Sequence, residues 1–191
     1  AVDRPRYSDR MATAERSLHR GEWRILVTLG VPTFALALAV TTVSTYLPVL
    51  AEDFSDSSIV VGLLIGGEGL MALWLPLVVG SWSDRLRTPI GGRLPFIIAA
   101  MPALLLGLAL IGFVHSVAVA AILVAVFFVG YFVAYEPYRA LYPDLVDPAI
   151  AGRAQSTQAI FRGLGTFLAL LGGGLLISVW HPLPFLAAAA I

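Results

Sequence analysis

Long apolar runs separated by short polar turns make up most of the chain. The runs cover residues 25–50, 59–82, 94–114, 117–138, 154–179 and 184–191. About 20 apolar residues are enough for a helix to cross the hydrocarbon core of a bilayer, so the first five runs can span and the last is too short. The pattern therefore predicts an all-α integral membrane bundle with five complete transmembrane helices and the start of a sixth.

Composition narrows the functional classes. Hydrophobic residues form 59% of the 191-residue chain and charged residues 13%, and there is no cysteine. The sequence contains no phosphate-binding loop and no nucleophile–base or metal-ligand constellation. We therefore expect a protein that is not an enzyme and has no cofactor. A net charge of zero gives no reason to expect nucleic acid, so the expected partners are the lipid bilayer and a small-molecule solute.

The arginines are distributed unevenly and predict the orientation. Six of them lie in the polar segment 1–24, and the others outside the helix cores follow the second and fourth runs. Basic residues favour the cytoplasmic side of a membrane. We therefore predict a cytoplasmic tail at 1–24, a bundle at 25–191, and a multi-pass protein of the cell (plasma) membrane with its N-terminus inside.

Glu68 lies near the middle of the second run. A carboxylate at that depth is costly and is expected to face a cavity or a partner. The functional interpretation is a group for proton coupling or substrate binding; the structural alternative is a neutral or paired glutamate. The seam of Gly62, Gly66 and Gly69 on another face of this run predicts close helix contact.

Two polar stripes predict the wall of a solute cavity. Thr41, Ser44 and Thr45 recur at helical spacing in the first run, next to Tyr46, and Gln158 and Arg162 share a face of the fifth run. Such side chains can bind a polar solute. They can equally bond to their own helix or to a neighbouring one.

Charged residues cluster where the second and fourth runs end. These positions suit ion pairs that stabilise one state of a transporter. A turn that only holds the helices in register would have the same sequence pattern. The candidates for such a cytoplasmic gate are Gly80, Asp84, Arg85, Gly91, Arg93, Glu136, Arg139 and Asp144.

Two motifs carry a family resemblance. The loop from Gly80 to Phe96, with the pattern G-x-x-x-D-R-x-x-x-x-x-G-x-R-x-P-F, resembles the loop between the second and third helices of major facilitator superfamily transporters. The segment from Pro137 to Leu145 is similar to one in the sucrose transporters, which belong to a branch with the glycoside–pentoside–hexuronide:cation symporters. The resemblance implies the N-terminal six-helix half of a secondary transporter for a sugar or glycoside, with a C-terminal half beyond this chain.

The chain also departs from that branch. Gly92 and Leu94 replace basic residues of the family loop, and Ala72 and Pro76 stand where sodium-coupled members carry aspartates. The comparison therefore disfavours sodium and favours the proton as coupling ion, with Glu68 as its carrier. Two other functions stay open: an efflux carrier of amphiphilic compounds and a non-transporting membrane scaffold.

Overall fold

The computed structural model describes residues 19–55, 57–86, 88–89 and 91–191. Most of the predicted cytoplasmic tail, residues 1–18, lies outside these ranges, as do Asp56 and Arg87. The helices, in chain order, are α1 Arg20–Glu52, α2 Ser58–Arg85, α3 Leu94–Ile111, α4 Val117–Leu145, α5 Ala151–Ile177 and α6 Leu183–Ala189, with a 3₁₀ turn at Pro148–Ile150 between α4 and α5.

The predicted fold class is confirmed. The part of the chain that the structure describes is helical apart from its turns, and α1 to α5 are long and apolar enough to cross a membrane. Because a helix satisfies its backbone hydrogen bonds internally, it is the element that an apolar chain can use in lipid. The chain is therefore a multi-pass membrane protein.

Two helices extend beyond the apolar runs that predict them. Helix α1 begins at Arg20, where the backbone N–H of His19 donates to Glu22 Oε2 at 2.8 Å and caps the first turn. Helix α4 continues through Pro137 and Pro143 to Leu145, seven residues past the predicted end. Each proline removes only one backbone donor, so favourable packing can keep the helix continuous.

Small residues let the helices pack closely. Helix α1 packs mainly against α5 and helix α3 against α4, while α2 lies on α4. A Cβ at Gly130 of α4 would stand 2.5 Å from the Leu104 nitrogen, and one at Gly165 of α5 would stand 2.4 Å from the Phe34 carbonyl oxygen. Both distances are shorter than van der Waals contact, so glycine is required where these backbones meet.

A buried hydroxyl cluster joins α1 to α4. Tyr138 and Tyr142 both donate to the carbonyl oxygen of Leu29, the latter at 2.9 Å, and Thr33 Oγ1 lies 2.6 Å from the Tyr138 hydroxyl. Pro32 lacks an N–H, so the Thr28 carbonyl oxygen loses its usual helical donor. The tyrosines therefore bond to the α1 backbone one residue from that carbonyl and hold α4 beside α1.

Helices α2 and α5 are the least covered of the five long helices. Leu63, Leu73 and Leu77 on α2 are each at least 70% exposed. A Cβ at Gly62, Gly66 or Gly69 would meet no described atom within 4 Å. The predicted glycine seam therefore makes no close contact with the described part of this chain, and its face is open to lipid or to another helix bundle.

Candidate functional site

Glu68 and Ser44 meet between α2 and α1. The Ser44 hydroxyl donates to Glu68 Oε2 at 2.8 Å, and both side chains are half-buried. Glu68 lies ten residues after the start of α2, about 15 Å along the axis at 1.5 Å per residue. The structure thus brings a predicted proton carrier and a predicted solute-binding hydroxyl into one hydrogen-bonded pair, well inside a membrane-length helix.

Two of the other hydroxyl candidates on α1, Thr41 and Tyr46, lie along its contact with α5. Thr41 Oγ1 is 3.4 Å from Thr166 Oγ1, whereas Thr45 is half-buried. Tyr46 is buried, and its hydroxyl lies 2.6 Å from the Leu170 carbonyl oxygen and 3.1 Å from that of Ala169. Its position is therefore fixed by the backbone of α5, and its hydroxyl is already used in helix packing.

A polar cavity of about 420 Å³ opens between α4 and α5. It contains both predicted solute-binding residues of α5, Gln158 and Arg162. It also contains two residues assigned to the gate from the sequence, Glu136 and Arg139, together with Gln155, which shares the polar face of α5. The fold therefore joins part of the predicted gate to part of the predicted solute site.

Tyr131 lies on the same face of α4 as Tyr135 and Arg139 and was missed by the sequence analysis. Its ring stacks on that of Tyr135 at 5.2 Å between centroids, and the Arg139 guanidinium lies 5.5 Å from the Tyr135 centroid. The Tyr131 hydroxyl interacts electrostatically with Glu68, Glu136 and Arg162. The four-residue spacing of Tyr131, Tyr135 and Arg139 was the available signal, since it places them on one helix face.

Arg93 joins the end of α2 to the end of α4. Its guanidinium forms ion pairs with Asp144 and, at 3.4 Å, with Asp84, and it also donates to the Ala140 carbonyl oxygen. The Arg93 side chain is 21% exposed, whereas Asp84 and Asp144 are 64% and 56% exposed, so water reaches the carboxylates of both pairs. Three predicted gate residues are therefore in contact, around an arginine that follows the loop.

The other predicted gate arginines have different neighbours. Arg139 pairs with Glu136 at 4.0 Å, and Arg85 is exposed and forms no ion pair with a described residue. Gly91 has a φ of +95°, a conformation that favours glycine, whereas a Cβ at Gly80 would meet no described atom within 4 Å. Gly91 therefore shapes the turn that leads into Arg93, and no described contact requires glycine at position 80.

Comparisons with known proteins agree with this architecture. Residues 29–191 match the model of the Major Facilitator Superfamily. The chain is 25% identical over 170 residues to "Multidrug resistance protein MdtH" of Enterobacter sp. (strain 638), an alignment that covers 86% of this chain and 41% of that protein. The chain therefore spans about two fifths of the length of this curated relative. No solved structure matches this chain.

The family model matches far more than half of the chain and begins within α1. Five membrane-length helices and an arginine-bridged turn between α2 and α3 fit that match. The chain belongs to the Major Facilitator Superfamily, a family of membrane transporters.

Proposed function

We propose that this chain is the N-terminal half of a proton-coupled secondary transporter for a small polar solute, a sugar or glycoside in the first instance. The solute and the proton would cross by alternating access between this bundle and a C-terminal bundle. In this proposal the protein lies in the plasma membrane with its N-terminus in the cytoplasm.

The Glu68–Ser44 hydrogen bond carries the proposal. A carboxylate well inside a membrane helix is expensive, and such groups usually serve in ion or proton pathways. Ser44 can donate to ionised Glu68 and can turn to accept from the protonated form, because a hydroxyl both donates and accepts. The pair can therefore hold either protonation state without a rearrangement of the helices.

The α4–α5 cavity supports a polar solute. Guanidinium and amide donors from Arg162 and Gln158 and the carboxylate acceptor of Glu136 surround about 420 Å³ of space. Directional donors and acceptors of this kind select a polar solute over a hydrocarbon of the same size. Thr41 and Ser44, whose hydroxyls lie inside the bundle, would extend the polar wall towards α1.

The Arg93 cluster would act as the cytoplasmic latch. Its three charged groups come from the end of α2, the start of α3 and the end of α4. Rocking of one bundle against another changes which charges meet at such an end, so the cluster can stabilise one of the two states.

Efflux of amphiphilic compounds is the second candidate. The observation that favours it is the similarity to a protein named for multidrug resistance. The two candidates differ in the direction of solute movement relative to the proton gradient and in the polarity of the solute. A membrane scaffold without transport is the third reading, and it predicts no solute movement at all.

Transport by the complete protein in liposomes separates these functions. The liposomes enclose a pH-sensitive dye, and a panel of neutral sugars and glycosides is added outside. A fall in the internal pH on addition of one solute would establish proton-coupled uptake and identify that solute. Export of amphiphilic dyes driven by a proton gradient would instead establish efflux, and no solute movement in either assay would overturn both.

Glu68→Gln tests the proton assignment. The amide keeps the size of the side chain but cannot take up or release a proton, so proton-driven accumulation should fall to the level of empty liposomes while solute exchange continues. Labelled-solute accumulation and counterflow measure the two activities. Normal accumulation by the variant would remove Glu68 from the coupling mechanism.

A further inference from the structure

The charges around the α4–α5 cavity do not balance. Two guanidinium groups, Arg139 and Arg162, line it with one carboxylate, Glu136. Arg139 and Glu136 pair at 4.0 Å, a long distance for an ion pair. Within the described ranges Arg162 forms no ion pair. The residues that line the cavity therefore carry a net charge of +1. Glu68, which acts on the Tyr131 hydroxyl together with Arg162, is hydrogen-bonded to Ser44 and forms no ion pair with Arg162.

Arg162 lies deep enough for this charge to matter. It is eleven residues after the start of α5, roughly 16 Å along the helix at 1.5 Å per residue. The flanking residues Ile160 and Leu164 are apolar and exposed, as expected for a helix in contact with lipid or with a second bundle. A guanidinium at such a depth is costly unless it faces water or an anion.

The side chains of the cavity suit an organic anion. A guanidinium binds a carboxylate through two parallel N–H donors. The amide groups of Gln155 and Gln158 can donate to the same anion or to its hydroxyls, and Glu136 can accept from a hydroxyl farther from the charge. The volume of about 420 Å³ falls in the range of small-molecule sites.

We infer that the α4–α5 cavity binds the carboxylate of a hydroxylated organic anion, with Arg162 as its principal ligand and Gln158 beside it. This inference rests on the proposed transport function and narrows the solute from polar compounds in general to polar anions. Arg139, which lies over the Tyr135 ring and pairs with Glu136, lines the same cavity.

Matched anionic and neutral compounds provide the test. Thermal unfolding of the complete purified protein is measured with sodium gluconate and with sorbitol, and with sodium lactate and with propane-1,2-diol, at equal ionic strength. A compound that binds only the folded protein raises the unfolding temperature. We expect gluconate or lactate to bind on the order of 10- to 100-fold more tightly than its neutral counterpart, as for hydrogen bonds to a charged group.

Arg162→Gln should abolish the preference for the anion, and Arg162→Lys should retain part of it. Arg24→Gln is the control, because it removes an exposed arginine near the start of α1. Without added anion, Arg162→Gln should also unfold at the same or a higher temperature than the parent, since an unneutralised charge has been removed. An arginine paired with a protein carboxylate would show the opposite, a fall in unfolding temperature.

Three results are decisive. Equal binding of the anionic and neutral member in both pairs would overturn the inference, as would an anion preference that survives in Arg162→Gln. An anion preference lost only at Arg162 would support it. For this comparison gluconate and lactate are added to the solute panel of the liposome assay. Anion binding without movement of any solute would leave the site in place and reject the transport proposal, whereas transport of neutral sugars alone, without anion binding, would do the reverse.

Discussion

At the scale of single residues, the closest contacts decide which side chains are free to act. Tyr46 is an example, because the sequence predicts the same role, solute binding, for Tyr46 and for Ser44. The structure places the Tyr46 hydroxyl on the backbone of α5 and the Ser44 hydroxyl on a carboxylate. Similar polar residues, two positions apart, therefore have different roles: Tyr46 fastens α1 to α5, while Ser44 can respond to the protonation of Glu68.

Gly173→Ala tests the attachment of α1 to α5. A Cβ at position 173 would lie 2.3 Å from the Tyr46 ring, so the helices must separate or the ring must move. We expect a loss of about 1–3 kcal/mol in stability, as for other overpacked sites, and a lower unfolding temperature. Gly172→Ala is the control, because no described atom lies within 4 Å of its added Cβ. Equal effects of the two changes would contradict this packing.

At the scale of helices, the ends of α2, α3 and α4 are joined by one arginine. The sequence predicts a gate that includes every charged residue in this region. It gives no reason to prefer Asp84 over its neighbour Arg85 as part of a latch. The fold distinguishes them: Asp84 pairs with Arg93 at 3.4 Å, whereas Arg85 forms no ion pair with a described residue. The rotation of the last turn of α2 therefore determines which of the two side chains can take part in the latch.

Arg93→Gln tests the latch. It removes the bridge between Asp84 and Asp144 and leaves two carboxylates at the junction. We expect the transport rate of the complete protein to fall about tenfold, equivalent to roughly 1.4 kcal/mol of preference between states. Arg85→Gln, the neighbouring change of equal charge, should change the rate less than twofold. A larger effect at position 85 than at 93 would refute the assignment of Arg93.

At the scale of the whole molecule, the unequal coverage of the helices indicates where further contacts form. Helices α1 and α4 are about half buried, whereas α2 and α5 are largely uncovered. The open glycine seam of α2 and the unneutralised charge of Arg162 on α5 lie on these less covered helices. We expect the C-terminal bundle to pack against α2 and α5, and the solute to bind between the bundles.

Single cysteines test the orientation of the molecule. This chain contains no cysteine, so only cysteines elsewhere in the complete protein need replacing first. Glu52→Cys, at the end of α1, should react with a membrane-impermeant maleimide in intact cells, because basic residues favour the cytoplasmic side and this end has none among its described residues. Arg24→Cys should react only after the cells are opened. The reverse labelling would invert the proposed topology.

The sequence by itself determined the fold class, the number of long helices and the residues that are costly in a membrane. These follow from local properties: the length of an apolar run, the one-dimensional spacing of polar side chains and the price of burying a charge. Glu68 and Arg162 could be singled out because their surroundings along the chain are apolar.

Only the tertiary structure decided which of these residues meet. Ser44 is 24 positions from Glu68, and Arg93 is 51 positions from Asp144. Such contacts depend on how α1, α2, α3 and α4 rotate and approach, and glycines such as Gly130 and Gly165 set that approach through shape, which hydropathy does not encode. The spacing of Tyr131 from Tyr135 and Arg139 marks a shared helix face, but the electrostatic interaction of Tyr131 with Glu68 of α2 and Arg162 of α5 follows only from the fold.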